Sequence, residues 1–355
     1  MSMHDVKFTP ISEVGEFGLI DRFREVASRY SSARVTNSIG DDAALISTTP
    51  GNLTVVTTDI LIQGIHFDLS YTSMNHLGRK CAAANLSDIA AMSALPTAAF
   101  LSMGVHSNLS TEMTEDLFTS MTDEFGKYGC VIAGGDTSAS PIGLVINVTV
   151  IGEVEPDRRV LRSGAEPGDV ICVTGDLGRS HAGLKVLQRE KSRFIQTGQS
   201  TDFSADFAGY DEALTKHLIP EPRINLSRSI TGKIRVHSMI DVSDGLVSDL
   251  LHICRQSKAA AVIDEELIPI DPMTRRVAGE NREDALNYAL FGGEDYEILF
   301  TISENDFPKL YSVDGNIRAI GRIEEGDSKV DVKRMDGTTM SFTEYPSYQH
   351  FVKSK

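Results

Sequence analysis

Six short acidic segments, each beside glycine or at the end of an apolar run, hold the side chains of this chain best suited to chemistry. They are Gly40-Asp41-Asp42, Thr57-Thr58-Asp59, Asn85-Leu86-Ser87-Asp88, Gly134-Gly135-Asp136-Thr137, Asp241-Val242-Ser243-Asp244-Gly245 and Gly292-Gly293-Glu294-Asp295. A carboxylate is costly to take out of water without a cation, so six segments of this kind suggest convergence on bound metal ions. A magnesium polyphosphate is the cargo that suits them. Each segment also has a plainer use: Gly-Asp-Asp as a solvated turn, Thr-Thr-Asp as a strand end, Ser-Asp as a helix cap. Asp88 fits the plain use least, because it is a lone acid in an alanine-rich apolar stretch, where unpaired charge is unfavourable. A Gly-Gly turn after a short apolar strand would let backbone N–H groups approach phosphate closely. Ser243 or Asp244 can cap the helix that follows, and a helix N-terminus beside Mg²⁺ favours phosphate.

These segments need elements to aim them. Residues 15–30 place Ile20, Phe23, Ala27 and Tyr30 at helical spacing. The run 53–59 alternates as a strand, with Val55, Thr57 and Asp59 on one face and Val56 and Thr58 on the other, so Thr57 and Asp59 can act together. Residues 77–92 are apolar on nearly all sides and predict a buried helix on which Asn85 and Asp88, three apart, share a face. A helix over 109–125, a strand over 130–133 stopped by Gly134-Gly135, and a strand over 144–154 follow. The stretch 155–169, with its two Glu-Pro pairs, marks a boundary, giving domains 1–155 and 156–355. Beyond it the reading is a strand at 170–174, a helix near 180–189, a polar loop or insertion at 191–210, a strand into Asp241, a helix over 245–255, and strands at 260–264 and 296–302. Both halves are mixed α/β.

Composition narrows the partners. Of 355 residues, 34 are Lys or Arg and 50 are Asp or Glu, a net charge of -16. That excludes the basic footprint of a general nucleic-acid binder, while an anionic nucleotide remains accessible through divalent cations. No apolar run reaches the ~20 residues of a bilayer span, and no signal-peptide core is visible, so the cytoplasm is the expected location. The four cysteines lack CxxC spacing and the nine histidines form no HxxxH pair, which argues against structural zinc, disulfides or a zinc hydrolase.

The motifs together resemble the thiamine-monophosphate kinase family, within the superfamily of aminoimidazole ribonucleotide synthase, selenophosphate synthetase and a hydrogenase maturation factor. The similarity rests on Gly-Glu-Phe-Gly-Leu-Ile (15–20), Ile-Gly-Asp-Asp-Ala-Ala-Leu (39–45), Thr-Thr-Asp-Ile-Leu-Ile-Gln-Gly-Ile-His-Phe (57–67) and Asn-Leu-Ser-Asp-Ile-Ala-Ala-Met (85–92). It continues through Gly-Gly-Asp-Thr (134–137), Arg-Ser-Gly-Ala-Glu-Pro-Gly-Asp (162–169), Asp-Val-Ser-Asp-Gly-Leu (241–246), Gly-Gly-Glu-Asp-Tyr-Glu (292–297) and a C-terminal Tyr-Gln-His-Phe beginning at Tyr348. The runs occur in family order over nearly the whole chain.

The resemblance implies that Asp42, Thr57, Thr58, Asp59, Asp88, Asp136, Asp241 and Asp244 hold several Mg²⁺ ions. It implies that Gly135, Asp136, Arg162 and Ser243 contact ATP, that the adenine packs near Phe118, and that His66, Glu294 and Tyr348 contact thiamine monophosphate. It also implies an N-terminal α/β domain that dimerises through its sheet and a C-terminal α/β domain that completes the substrate cleft. The acceptor phosphate, with a second pKa near ~6, needs no general base, so no catalytic acid or base is assigned and transfer is expected to be direct. No Walker loop or kinase His-Arg-Asp run is present. Two alternatives are another ATP-dependent synthase of the superfamily and a non-catalytic nucleotide-sensing module. The first lacks the terminal reactive cysteines it would need, since the first Cys is Cys81 and the chain ends Phe-Val-Lys-Ser-Lys; the second predicts loss of acidic motifs, and all six are intact.

Overall fold

Alternating apolar residues build the four-stranded sheet of the first unit in a computed structural model that describes residues 8–199 and 203–346. The chain divides into two units: one runs to Ile89 and resumes over Ala94–Pro156, the other holds Ala90–Ser93 and continues from Asp157. Each is mixed α/β, the class read from the sequence.

The first unit contains α1 (Ile11–Ala27), β1 (Val35–Asn37), β2 (Leu45–Ile46), β3 (Leu53–Ile62), α2 (Met74–Ala91), β4 (Leu95–Val105), α3 (Thr111–Gly126), β5 (Val131–Ala139) and β6 (Val145–Val154). Its main sheet has the order β3-β6-β4-β5, antiparallel except for the parallel β4–β5 pair. Leu77, Cys81, Leu86 and Ile89 of α2 and Leu117, Met121 and Phe125 of α3 are buried in its core. A Cβ on Gly78 would fall 2.3 Å from the Leu117 carbonyl oxygen, so the absence of a side chain there lets α2 and α3 touch backbone to backbone. Ser110 caps α3 by accepting the Met113 N–H at 3.2 Å.

The second unit contains β7 (Val170–Val173), α4 (Arg179–Gln196), α5 (Asp211–Leu218), α6 (Ile224–Thr231), β8 (Val236–Asp241), α7 (Leu246–Ser257), β9 (Ala260–Asp264), α8 (Pro272–Glu280), α9 (Ala285–Phe291), β10 (Ile298–Ile302), α10 (Phe307–Leu310), β11 (Arg318–Glu324), β12 (Val330–Lys333) and β13 (Thr339–Phe342). The sheet order is β13-β12-β9-β11-β7-β10-β8, with only the β9–β12 pair parallel. Every residue of β7 and β10 is buried, and α7 and α9 cover the sheet with Leu246, Leu250, Leu286 and Leu290. This explains the almost wholly apolar composition of those two strands, Thr301 being the one polar residue.

Three sequence expectations change. The first helix stops at Ala27, leaving Tyr30 beyond its end and exposed. The strand at 130–133 does not stop at Gly134-Gly135 but continues to Ala139, paired with β4. The stretch 191–210 is helical in its first part, because α4 extends to Gln196 with Glu190 held by Arg193 and Arg189. Among the described residues, no helix is long and apolar enough to cross a membrane.

Candidate functional site

In the first unit, β3 and α2 bring three of the expected residues together. Alternation along β3 turns Thr57 and Asp59 to one side, and the Thr57 hydroxyl donates to the Asp88 carboxylate of α2. Asp59 lies close enough to Asp88 for repulsion, and burial with that repulsion pushes the Asp59 carboxyl up to about 6. Asn85 is fully buried on α2, its amide donating to the Cys81 carbonyl at 3.0 Å, while its Oδ1 has no partner among the described residues. The Thr58 side chain is on the opposite side of β3, 3.0 Å from the Thr149 hydroxyl. His66 follows β3 in a tight loop and accepts the Ile62 N–H on Nδ1 at 3.0 Å, which leaves the ring proton on Nε2 when neutral.

Gly134-Gly135-Asp136-Thr137 is strand rather than turn. A Cβ at Gly135 would sit 1.8 Å from the Leu101 carbonyl oxygen, so this position admits only glycine. Asp136 is exposed, and its carboxylate accepts the Thr137 N–H at 2.9 Å. Beside this strand is a pocket lined by Ile20, Phe23, Ile39, Leu101 and Phe118. Phe23 and Phe118 stack at 4.3 Å with their planes 9° apart. Asp42 is exposed, with its N–H on the Asp41 carboxylate at 2.9 Å.

In the second unit, β8 ends at Asp241 and a short loop enters α7. The N-cap is Gly245, at φ 107, and neither Ser243 nor Asp244 caps the helix with its side chain. Asp249, fully buried in the first turn of α7, instead accepts the N–H groups of Ser243, Asp244 and Gly245 on one oxygen, each at 3.1 Å. Burial, with Asp241 and Asp244 nearby, holds this carboxyl well above the usual range. Sequence reasoning missed Asp249; the signal was an acid inside Leu-Val-Ser-Asp-Leu-Leu, where all neighbours are apolar or small. Arg162 is exposed and close enough to His252 to lower that imidazole, after burial, while Asp244 opposes it.

The Gly-Gly-Glu-Asp-Tyr-Glu run lies alongside this loop. Glu294 and Tyr296 donate their N–H groups to the Ser243 and Val242 carbonyls, both at 2.8 Å, and a Cβ on Gly293 would meet the Ser243 carbonyl oxygen at 2.3 Å. Glu294 and Tyr296 hold φ of 65 and 51, a strained region for non-glycine residues that marks a conformation imposed by surroundings. Asp295 is fully buried and takes the Gly178 N–H at 2.6 Å and the Ser180 N–H at 3.0 Å. Glu297, also fully buried, is held by Lys216, by Arg223 at 2.7 and 2.9 Å, and by the Thr174 hydroxyl at 2.6 Å, which keeps it ionised despite burial. The Glu294 carboxylate lies 3.5 Å from Nδ1 of the buried His217, which is 3.1 Å from the Ser180 hydroxyl. Tyr348 falls outside the described residues.

Among the described residues no three His, Cys, Asp or Glu side chains cluster as a ready-made metal cage. Mg²⁺ does not require one, since it keeps several waters and uses one or two carboxylates with substrate phosphates. The oxygen-only donors Thr57, Asp59 and Asp88, with the orphaned Asn85 Oδ1 on α2, fit such an ion. Asp241 and Asp244 beside Asp249 form the matching acidic group of the second unit.

Fold and acidic loops together define a known class. Residues 40–154 match the family model for the N-terminal domain of AIR synthase related proteins, and residues 166–333 match that for the C-terminal domain. Within that class, the thiamine-monophosphate kinase of Bacillus subtilis strain 168 is 33% identical over 340 residues, covering 95% of this chain and 99% of the relative. That of Escherichia coli K12 is 38% identical over 291 residues, covering 82% and 83%. The crystal structure of the Stenotrophomonas maltophilia enzyme superposes with a TM-score of 0.75 at 32% identity, covering 90% and 96%. The structure of AaThiL complexed with AMPPCP and TMP gives 0.70 at 31%, covering 95% and 97%. The chain therefore belongs to the thiamine-monophosphate kinase family and is an enzyme of it.

Proposed function

We propose that this enzyme phosphorylates thiamine monophosphate to thiamine diphosphate, with ATP as donor and Mg²⁺ as the essential ion, by direct in-line transfer. The observation that carries this reading is the half-buried Asp59–Asp88 pair, whose mutual repulsion a divalent cation would relieve. The AaThiL complex with AMPPCP and TMP supports the two substrates. Asp42, Thr57, Thr58, Asp59, Asp88, Asp136, Asp241 and Asp244 would hold the ions. Bound Mg²⁺ supplies neutralisation of the phosphates and of the charge that spreads in the transition state.

The protein's own groups orient the substrates. Gly135 gives backbone without a side chain, Asp136, Arg162 and Ser243 complete the nucleotide contacts, and the Phe23–Phe118 pocket suits a purine. Glu294 offers its carboxylate to the cationic thiazolium, His66 its Nε2 proton to the acceptor phosphate, and Tyr348 an aromatic face to the pyrimidine. The acceptor phosphate is mostly dianionic at neutral pH, with its second pKa near ~6, so no side chain has to remove a proton.

The functional division gives 1–155 the dimer contacts and the ATP and Mg²⁺ residues from Asp42 to Asp136, and 156–355 the residues that complete the substrate cleft, Arg162, Asp241, Ser243, Asp244 and Glu294. A homodimer would cover β3, an edge strand exposing Val56 at 61% and Ile60 at 49%. Four buried free cysteines suit a reducing cytoplasm. The test is thiamine diphosphate formation across a Mg²⁺ titration. Asp59→Asn and Asp88→Asn should each lose at least about two orders of magnitude in kcat, the scale of one lost transition-state charge stabiliser. Near-normal rates for both at limiting Mg²⁺ would overturn the metal assignment.

A further inference from the structure

A basic cleft opens at the end of β8 opposite Asp241. It is walled by residues 157–160, 231–236 and 306–309, which are far apart in sequence. The register places Val236 against Ile302 and Asp241 against Ile298, so the segment after β10 lies at this end and the Gly-Gly-Glu-Asp run lies at the other. The length of β8 separates the two ends by roughly 16 Å. Five cations line the cleft, Arg158, Arg159, Lys233, Arg235 and Lys309. The carboxylates facing them are Asp157 and Asp306, in a chain whose net charge is -16.

The cations are only partly compensated. Lys309 pairs with Asp306 at 2.6 Å, and Lys233 donates to the Ser312 carbonyl and hydroxyl at 3.0 and 3.1 Å. Arg158 donates through Nη2 to the Arg228 carbonyl at 2.8 Å, and its guanidinium lies so close to Gly232 that a Cβ there would be 3.0 Å from Nη2. That contact fixes the guanidinium, yet its Nε is buried with no partner among the described residues. No ion pair among the described residues engages Arg235, which is exposed on the 231–236 segment of the cleft. Arg158, held through Nη2 with an unpartnered Nε, and Arg235, with no ion pair among the described residues, line one cleft, an arrangement for an oxyanion with two or more acceptor oxygens.

We propose that this cleft is a second anion site, which takes a small phosphate-bearing ligand of two or more negative charges at a distance from the acidic motifs. It does not depend on the proposed function. The probe is pyrophosphate, titrated calorimetrically into the full chain in EDTA, where the acidic motifs without cations repel anions. One saturable site is expected, weakened about tenfold or more by Arg235→Ala and by Arg158→Gln, as befits loss of a charge-assisted contact. Arg162→Ala should leave it intact, and Arg235→Ala should keep its melting temperature and its kinase rate without added pyrophosphate. Absence of saturable binding, binding that both cleft variants retain, loss on Arg162→Ala, or preference for an oligonucleotide over pyrophosphate would each overturn the proposal.

Discussion

Asp249→Ala removes the side chain that gathers three N–H groups of the Asp241–Gly245 loop. A single carboxylate oxygen accepts three backbone N–H groups at 3.1 Å. Of the three donors, Gly245 is buried, Ser243 half-buried and Asp244 exposed, so water can replace the acceptor for the last but not the first. The buried N–H left unpaired costs about 1–3 kcal/mol, and the other two contribute about 0.5–1 kcal/mol each. Relief of repulsion with Asp241 and Asp244 offsets part of this, leaving a loss of roughly 3 kcal/mol. Asp249→Asn keeps an acceptor oxygen and should lose about 1 kcal/mol or less. Urea unfolding at pH 7 measures both, and thiamine diphosphate formation in parallel should show kcat at least about tenfold lower in the alanine variant, because a displaced loop misplaces Ser243 and Asp244. Equal destabilisation by Asn and Ala, or a stable and fully active alanine variant, would refute the anchoring role.

Gly135→Ala should abolish ATP binding, measured by calorimetry, because the new methyl collides with the Leu101 carbonyl oxygen at 1.8 Å and strand β5 must shift. Retention of wild-type affinity would show that β5 does not bear on the nucleotide. The His181 imidazole is pushed down to about 4, by burial first and Lys185 second, so it is neutral in the fold. Its stabilisation is complete above the unfolded pKa of about 6.5 and is lost as pH falls through the folded value, at most about 3 kcal/mol. His181→Gln should therefore flatten the fall in urea-unfolding free energy between pH 7 and 4, and an unchanged slope would contradict this. Glu294→Gln, and His217→Gln through the 3.5 Å contact with Glu294, should raise KM for thiamine monophosphate by roughly tenfold while ATP binding measured alone holds. Equal weakening of both substrates would indicate a structural role for that run.

What the sequence made legible was local. The period-two alternation of β3 correctly paired Thr57 with Asp59, because a strand enforces that geometry whatever surrounds it. The all-round apolar character of α2 likewise identified Asp88 as an acid in need of a partner. Contacts set by tertiary packing were not legible. Gly134-Gly135 reads as a turn, yet the chain stays extended because β4 offers a ladder and leaves no room for a Cβ. Ser243 and Asp244 read as caps, and Asp249 takes the loop donors from within the helix. β4 and the three C-terminal strands were not anticipated, and neither was the His217–Glu294 contact, which joins α5 to a loop far along the chain.

The most direct test of direct transfer to a phosphate acceptor is a phosphorus NMR time course with ATP, Mg²⁺ and thiamine monophosphate, repeated with free thiamine. The monophosphate resonance should give way to the two coupled resonances of thiamine diphosphate, with one ADP formed per diphosphate and no turnover of free thiamine. ADP release without the diphosphate signals, or equal phosphorylation of thiamine itself, would contradict the account.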